Sequence, residues 1–317
     1  MTFSFVFPGQ GSQAVGMGKE LAEAFPVAAD VYKEIDEALG QNLSQLMWEG
    51  PLDTLTLTEN AQPALMAVSM AALRVLTNEG GFELADKAKF VAGHSLGEYS
   101  ALAAAGTFSV PDAARLLKTR GRAMQEAVAV GDGAMAAILG LDLEAAVKIA
   151  AAAATDASNG DICTTANDNA PGQVVISGSL AAVERAIALA PDFGAKRCVL
   201  LPVSAPFHCA LMAPAAEVMA DALAEVRMVN PAVPLIANVT ASDTLDAAEI
   251  RRLLVEQVTG MVRWRESVMF MKAQGVETLV EIGAGKVLSG LTRRIDSALS
   301  SLNVATPEDV EAFLKTL

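Results

Sequence analysis

Apolar residues fall in two rhythms along the 317-residue chain. Short continuous apolar runs bounded by glycine or proline predict buried strands. Longer stretches with apolar residues every three to four positions predict helices. "FSFVFPG", residues 3–9, is a run of the first kind, closed by Pro8-Gly9. Helical patterns follow around residues 16–40 and 61–80. "KFVAGHS", residues 89–95, predicts the next strand, and residues 97–106 open an Ala/Leu-rich helix. "VPDAARLLKTRGRAMQEAV" predicts a second helix of that region, and "VPLIANVT" and "GVETLVEIG" predict later strands. Buried strands alternating with helices predict an α/β class with a mainly parallel sheet covered on both faces.

The rhythm changes after Gly131-Asp132-Gly133. "AMAAILG" reads as strand, "DLEAAVKIAAAAA" as helix, and "ICTTANDNAPGQVVISG" as two strands around an Asn/Pro/Gly turn. "SLAAVERAIALA" is helical and "AKRCVLLPV" is a strand. The order β-α-β-β-α-β is that of a ferredoxin-like unit. It predicts an inserted subdomain over 131–201, with the main domain formed by 1–130 and 202–317. No internal repeat is evident.

Composition narrows the function. The chain is 52% hydrophobic, enough for a sizeable core, and its formal net charge is -14. No Lys/Arg run exists, which argues against nucleic acid, and an acidic surface repels anionic membranes. An anionic substrate must therefore be held by a few local cations. Three cysteines, Cys163, Cys198 and Cys209, show no paired spacing and fit a reducing, cytoplasmic setting. Two histidines exclude a histidine-rich metal site. The N-terminus lacks the basic stretch of a signal peptide. No apolar stretch reaches the ~18 residues of a membrane span.

Two glycine clusters resemble phosphate loops and fail in detail. In "PGQGSQAVGMGK", Ala14 stands where a dinucleotide fingerprint needs its third glycine, and Met17 where a Walker loop needs lysine. In "EIGAGKVLSG", Val280 and Val287 replace the first glycine and the Ser/Thr. A tight strand-to-helix turn is the simpler reading of each.

"GHSLG" at 93–97 is different. Strand, Gly-x-Ser-x-Gly, helix is the nucleophile-elbow arrangement, which lifts the Ser95 hydroxyl above the sheet edge at a helix N-terminus. The Leu96 N–H is then placed as an oxyanion donor. The alternative is a helix-capping serine. A serine nucleophile needs a base. His94 is adjacent in the chain, where side chains diverge, so His208 in "SAPFHCALM" is left. No Asp or Glu stands out as its orienter; a backbone carbonyl or an amide would give a dyad.

"FVFPGQGSQ", "GHSLGEYSALAAAG", "TRGRAMQEA", "NAPGQVVISG", "LPVSAPFHCALM" and "EIGAGKVLSGL" together resemble the malonyl-CoA:acyl carrier protein transacylases, in the right order over nearly the whole chain. The resemblance implies an α/β-hydrolase-like core with a ferredoxin-like insertion. It implies malonyl transfer from malonyl-CoA to holo acyl carrier protein, with no cofactor, and a free-standing chain of this length favours fatty-acid synthesis and a monomer. Ser95 becomes the nucleophile and His208 the general base and acid. Gln10 and Leu96 supply oxyanion N–H groups, and the Gln257 carbonyl orients His208. Arg120 grips the malonyl carboxylate, and Phe207 resembles members that prefer malonyl over branched units. Asn169, Lys196 and Arg197 resemble positions near pantetheine and the coenzyme A phosphates; a turn asparagine and surface cations are the plainer alternative. The sequence departs from the family's frequent Gly-Pro-Gly at Gly283-Ala284-Gly285. A hydrolase, an acyltransferase for another acyl group and a non-catalytic scaffold are the competing readings.

Overall fold

The computed structural model describes residues 2–154 and 161–317. Among the described residues, ten strands form two sheets. The first contains β1 (Phe3–Phe7), β2 (Ala88–Gly93), β7 (Leu235–Ile236), β8 (Asp243–Thr244), β9 (Thr278–Ile282) and β10 (Ser300–Val304). Its order is β10-β9-β1-β2-β7-β8. All neighbours are parallel except the β7–β8 pair at one edge. β1 sits centrally with all five residues buried, as a continuous apolar run predicts.

Alternation along β1 separates two cores. Phe3, Phe5 and Phe7 join one cluster with Leu65, Val68 and Leu76 of the helix Thr58–Gly80. Val6 points the other way, toward Trp264, Val268 and Leu288 of the helices Trp264–Ala273 and Val287–Ile295. Helices thus cover both faces, because period-two side chains leave neither face polar.

The second sheet contains β3 (Gly133–Leu139), β4 (Cys163–Ala170), β5 (Gln173–Ser179) and β6 (Arg197–Leu200), in the order β4-β5-β3-β6. Every pairing is antiparallel. With the helices Leu143–Ala153 and Leu180–Leu189 this is the ferredoxin-like unit read from the sequence. Ala136 and Ile138 of β3 pack with Ile149 and Val183 of those helices. Met135 and Ala137, on the opposite face, join the core of the main body. The insert therefore has its own small core and rests its open face on the larger one.

Some elements differ from the expected pattern. The helical stretch at 16–40 is two helices, Lys19–Ala24 and Pro26–Leu39, because extended Phe25 precedes a proline at the first helical position. Short helices at Leu43–Glu49 and Leu52–Thr56, and strand β10, carried no clear rhythm. The Gly283–Gly285 turn is no phosphate cradle. The buried Glu281 carboxylate already accepts from Leu288 N and Ser289 N at the following helix terminus.

Candidate active site

The elbow is built by close backbone approach. A Cβ on Gly93 would lie 1.9 Å from the Gly97 carbonyl carbon, and one on Gly97 would lie 2.2 Å from Phe7 O. Both positions thus exclude any side chain. Between them Ser95 adopts φ 52°, ψ -109°, directly before the helix Leu96–Ala104. His208 also has positive φ, 59°. Left-handed non-glycine residues cost roughly 1–3 kcal/mol each, which the surrounding packing must hold.

Asn238, just beyond β7, clamps the turn. Its Oδ1 accepts from Ser95 N at 2.8 Å and its Nδ2 donates to Gly93 O at 2.7 Å. Ser95 Oγ lies 2.8 Å from His208 Nε2. His208 Nδ1 faces two backbone carbonyls, Gln257 O at 2.9 Å and Gly260 O at 3.0 Å. Those carbonyls fix the tautomer: Nδ1 carries the proton and Nε2 is the acceptor facing serine. Burial, then the Arg120 charge, push the His208 pKa down to about 3. The imidazole is neutral and ready to accept a proton at neutral pH.

Arg120 comes from the helix Val110–Glu126 and is 1% exposed. Nη1 donates to Gln62 Oε1 at 2.8 Å. Nη2 donates to Ser95 Oγ at 3.0 Å and Gln257 Oε1 at 2.8 Å. The guanidinium also lies 5.7 Å from the Tyr99 ring centroid. Among the described residues it makes no ion pair. Its direct side-chain partners are neutral, so no carboxylate is in contact with this buried cation.

These groups meet at a cavity of about 470 Å³. Gln10, Ser95, Leu96, Arg120, Phe207 and His208 all line it. The Gln10 and Leu96 N–H groups have no hydrogen-bond partner among the described residues. Met124, Met135, Leu201 and Val203 supply apolar wall. Asn169, Lys196 and Arg197 stand elsewhere. Asn169 Oδ1 is 2.8 Å from His94 Nε2, and it is Asn167 that reaches the cavity. The Lys196 side chain packs against Gly140. Arg197 pairs with Leu139 at the end of the β3–β6 ladder away from the Met135 wall. His94 turns from Ser95 toward Asn169 and Trp264, and burial lowers its pKa. Asn238 and Gln62 are site residues the sequence reading missed. Their signal was an amide following an apolar strand and an amide within an apolar helix.

The acyl transferase domain family model matches residues 4–308. Malonyl CoA-acyl carrier protein transacylases from Bacillus subtilis and Salmonella typhimurium are 46% and 47% identical, over 99% and 98% of this chain and 96% and 98% of theirs. The chain belongs to the malonyl CoA-acyl carrier protein transacylase family. Solved members share its fold. The acyl-carrier-protein-S-malonyltransferase of Bartonella henselae is 56% identical, with a TM-score of 0.96 over 100% of this chain and 99% of that one. A malonyl-transacylase in complex with a type II PKS acyl-carrier protein is 44% identical, with a TM-score of 0.94 over 100% of both chains. The buried arginine beside the serine–histidine pair bears on substrate.

Proposed function

We propose that the protein transfers the malonyl group of malonyl-CoA to the phosphopantetheine thiol of acyl carrier protein through a malonyl-Ser95 ester, supplying fatty-acid elongation. The observation that carries this is the buried Arg120 guanidinium, 3.0 Å from Ser95 Oγ and without an ion pair among the described residues. Malonyl differs from acetyl by a free carboxylate, which two parallel guanidinium N–H bonds can hold. Anchoring that end fixes the thioester carbonyl over the serine.

His208 Nε2 takes the Ser95 proton as Oγ attacks the thioester carbonyl. The Gln10 and Leu96 N–H groups receive the oxyanion. The carbon–sulfur bond breaks, and the proton on His208 passes to the departing coenzyme A thiolate. The carrier thiol then gives its proton to His208 and attacks the ester, and Ser95 recovers that proton on leaving. Every step uses side chains and backbone of this chain, so the reading includes no cofactor. Phe207 and the apolar wall limit the acyl group. Asn169, Lys196 and Arg197 are kept as contacts to the pantetheine arm and phosphates only if their removal raises KM for coenzyme A esters. The protein acts as a cytoplasmic monomer in this reading. No described helix is long and apolar enough to cross a membrane, and no described cluster could hold a metal.

Intact mass after mixing with malonyl-CoA tests the proposal. The expected result is a malonyl adduct on Ser95 that persists in buffer and moves to holo acyl carrier protein. An adduct that decays in buffer alone would instead indicate a thioesterase.

A further inference from the structure

One buried carboxylate is not used by this mechanism. Glu98 lies in the first turn of the helix that follows the nucleophile and is 1% exposed. Its Oε2 accepts from Gln257 Nε2 at 2.7 Å and from Asn238 N at 3.2 Å. Gln257 Nε2 also donates to Ser95 O at 2.9 Å. The other end of the same amide, Oε1, accepts from Arg120 Nη2. Asn238 is the residue that clamps the elbow. Glu98 thus holds the one amide that joins the nucleophile to the arginine, Gln257, and the backbone N–H of the residue that clamps the elbow, while touching neither Ser95 Oγ nor the cavity.

The amide has one workable polarity. An ionised carboxylate and a backbone carbonyl only accept, and a guanidinium only donates. Turning the Gln257 amide over would set its oxygen against two acceptors and its NH₂ against a cation. The Glu98 charge is what makes that turned state costly, because a neutral group in its place could donate as well as accept. We propose that Glu98 is a positioning residue for malonyl selection, fixing the Gln257 amide so that Arg120 is presented at Ser95 in the orientation that binds the acyl carboxylate.

The surroundings agree. The charged and titratable groups near Glu98 are Arg120, from the helix Val110–Glu126, and Tyr99, its chain neighbour, whose own pKa Glu98 helps to raise. Gln257 and Asn238 meet it from the remaining elements as donors. Burial raises the Glu98 pKa to about 7, opposed by Gln257, Asn238 and Arg120, so the carboxylate is mainly ionised above that value and the comparison is made at about pH 8. The helix N-terminus favours the anion in addition.

The proposal rests on the malonyl reading of Arg120, so its test separates the two. Acylation of Ser95 is measured with malonyl-CoA, acetyl-CoA and the neutral reagent phenylmethanesulfonyl fluoride, in the wild-type protein, Glu98→Gln and Gln257→Leu. Gln257→Leu keeps the backbone carbonyl on His208 and covers the case in which Glu98→Gln does not fold. The wild-type malonyl adduct alone judges the proposed function. For Glu98, each variant is expected to lower the malonyl-to-acetyl ratio of kcat/KM at least about tenfold. In Glu98→Gln, phenylmethanesulfonyl fluoride labelling should stay within about threefold of wild type. In an Arg120→Ala background Glu98→Gln should change the ratio no further. An unchanged ratio in both variants overturns the proposal. So does a loss of labelling as large as the loss of malonyl transfer, or an effect that persists without Arg120.

Discussion

The two walls of the cavity are built differently. The wall from the main body is polar and over-determined: Ser95 is held by Asn238, His208 by two carbonyls, and Arg120 by Gln62 and Gln257. The wall on the side of the insert is mostly apolar, with Met135 of β3 and Leu201, Pro202 and Val203 after β6. Hydrogen bonds are directional and fix atoms to fractions of an ångström, whereas apolar contacts mainly fix volume. Reactivity and charge recognition thus reside in the polar wall, and acyl size is read by Met135 of the insert, the segment leaving it and the apolar Met124 and Phe207 of the main body.

The largest expected effect lies on the polar side. Ser95→Ala should remove the acyl adduct and lower transfer by about 10⁴-fold or more, measured by radiolabelled malonyl transfer. Arg120→Ala should cost malonyl-CoA roughly 10²–10³-fold in kcat/KM, and acetyl-CoA far less. Equal losses would take Arg120 out of the carboxylate role and dissolve the contrast. Gly97→Ala should destabilise the fold by about 3 kcal/mol in a urea titration, because the new methyl meets Phe7 O at 2.2 Å.

A pH experiment sharpens the same side. With a pKa near 3, His208 stays unprotonated over the working range, so acylation by a neutral reagent should be flat from about pH 5 to about pH 8. Arg120 is one cause of that low value. Removing its positive charge favours the protonated imidazole and raises the pKa. Arg120→Ala should therefore gain an acid limb, its rate falling as pH drops through the new, higher value. A profile that stays flat would show that the guanidinium does not act on the base. The smallest effect belongs to the apolar side. Met135→Ala should leave malonyl kcat/KM within about threefold while raising turnover of longer acyl-CoA chains about tenfold.

Much of this was legible in the sequence, and unevenly. β1 and β2 announced themselves because parallel strands buried on both faces are continuous apolar runs. The insert was legible because an antiparallel sheet with one helix-covered face alternates and turns at Pro171-Gly172. The elbow was visible because backbone crowding demands glycine at 93 and 97. Asn238, Gln62 and the carboxylate of Glu98 were not. Their importance comes from partners far apart in the chain, and no local spacing encodes that Gln257 meets Ser95. The asparagine pair showed the same limit: Asn169 faces His94 while Asn167 reaches the cavity, a division made by a register shift in β4.

The route by which the chain leaves the insert has an engineering consequence. β6 ends at Leu200, and the returning segment brings Pro206 against Gly133, where an added Cβ would sit 2.3 Å from the proline ring. Phe207 and His208 follow at once. The exit seam of the ferredoxin-like module therefore doubles as the mount of the proton acceptor. A chimera that exchanges the module between relatives to alter acyl preference must carry the segment through His208 and keep glycine at 133. Cut inside that seam, it would acquire a new gauge for acyl length and lose alignment of its base.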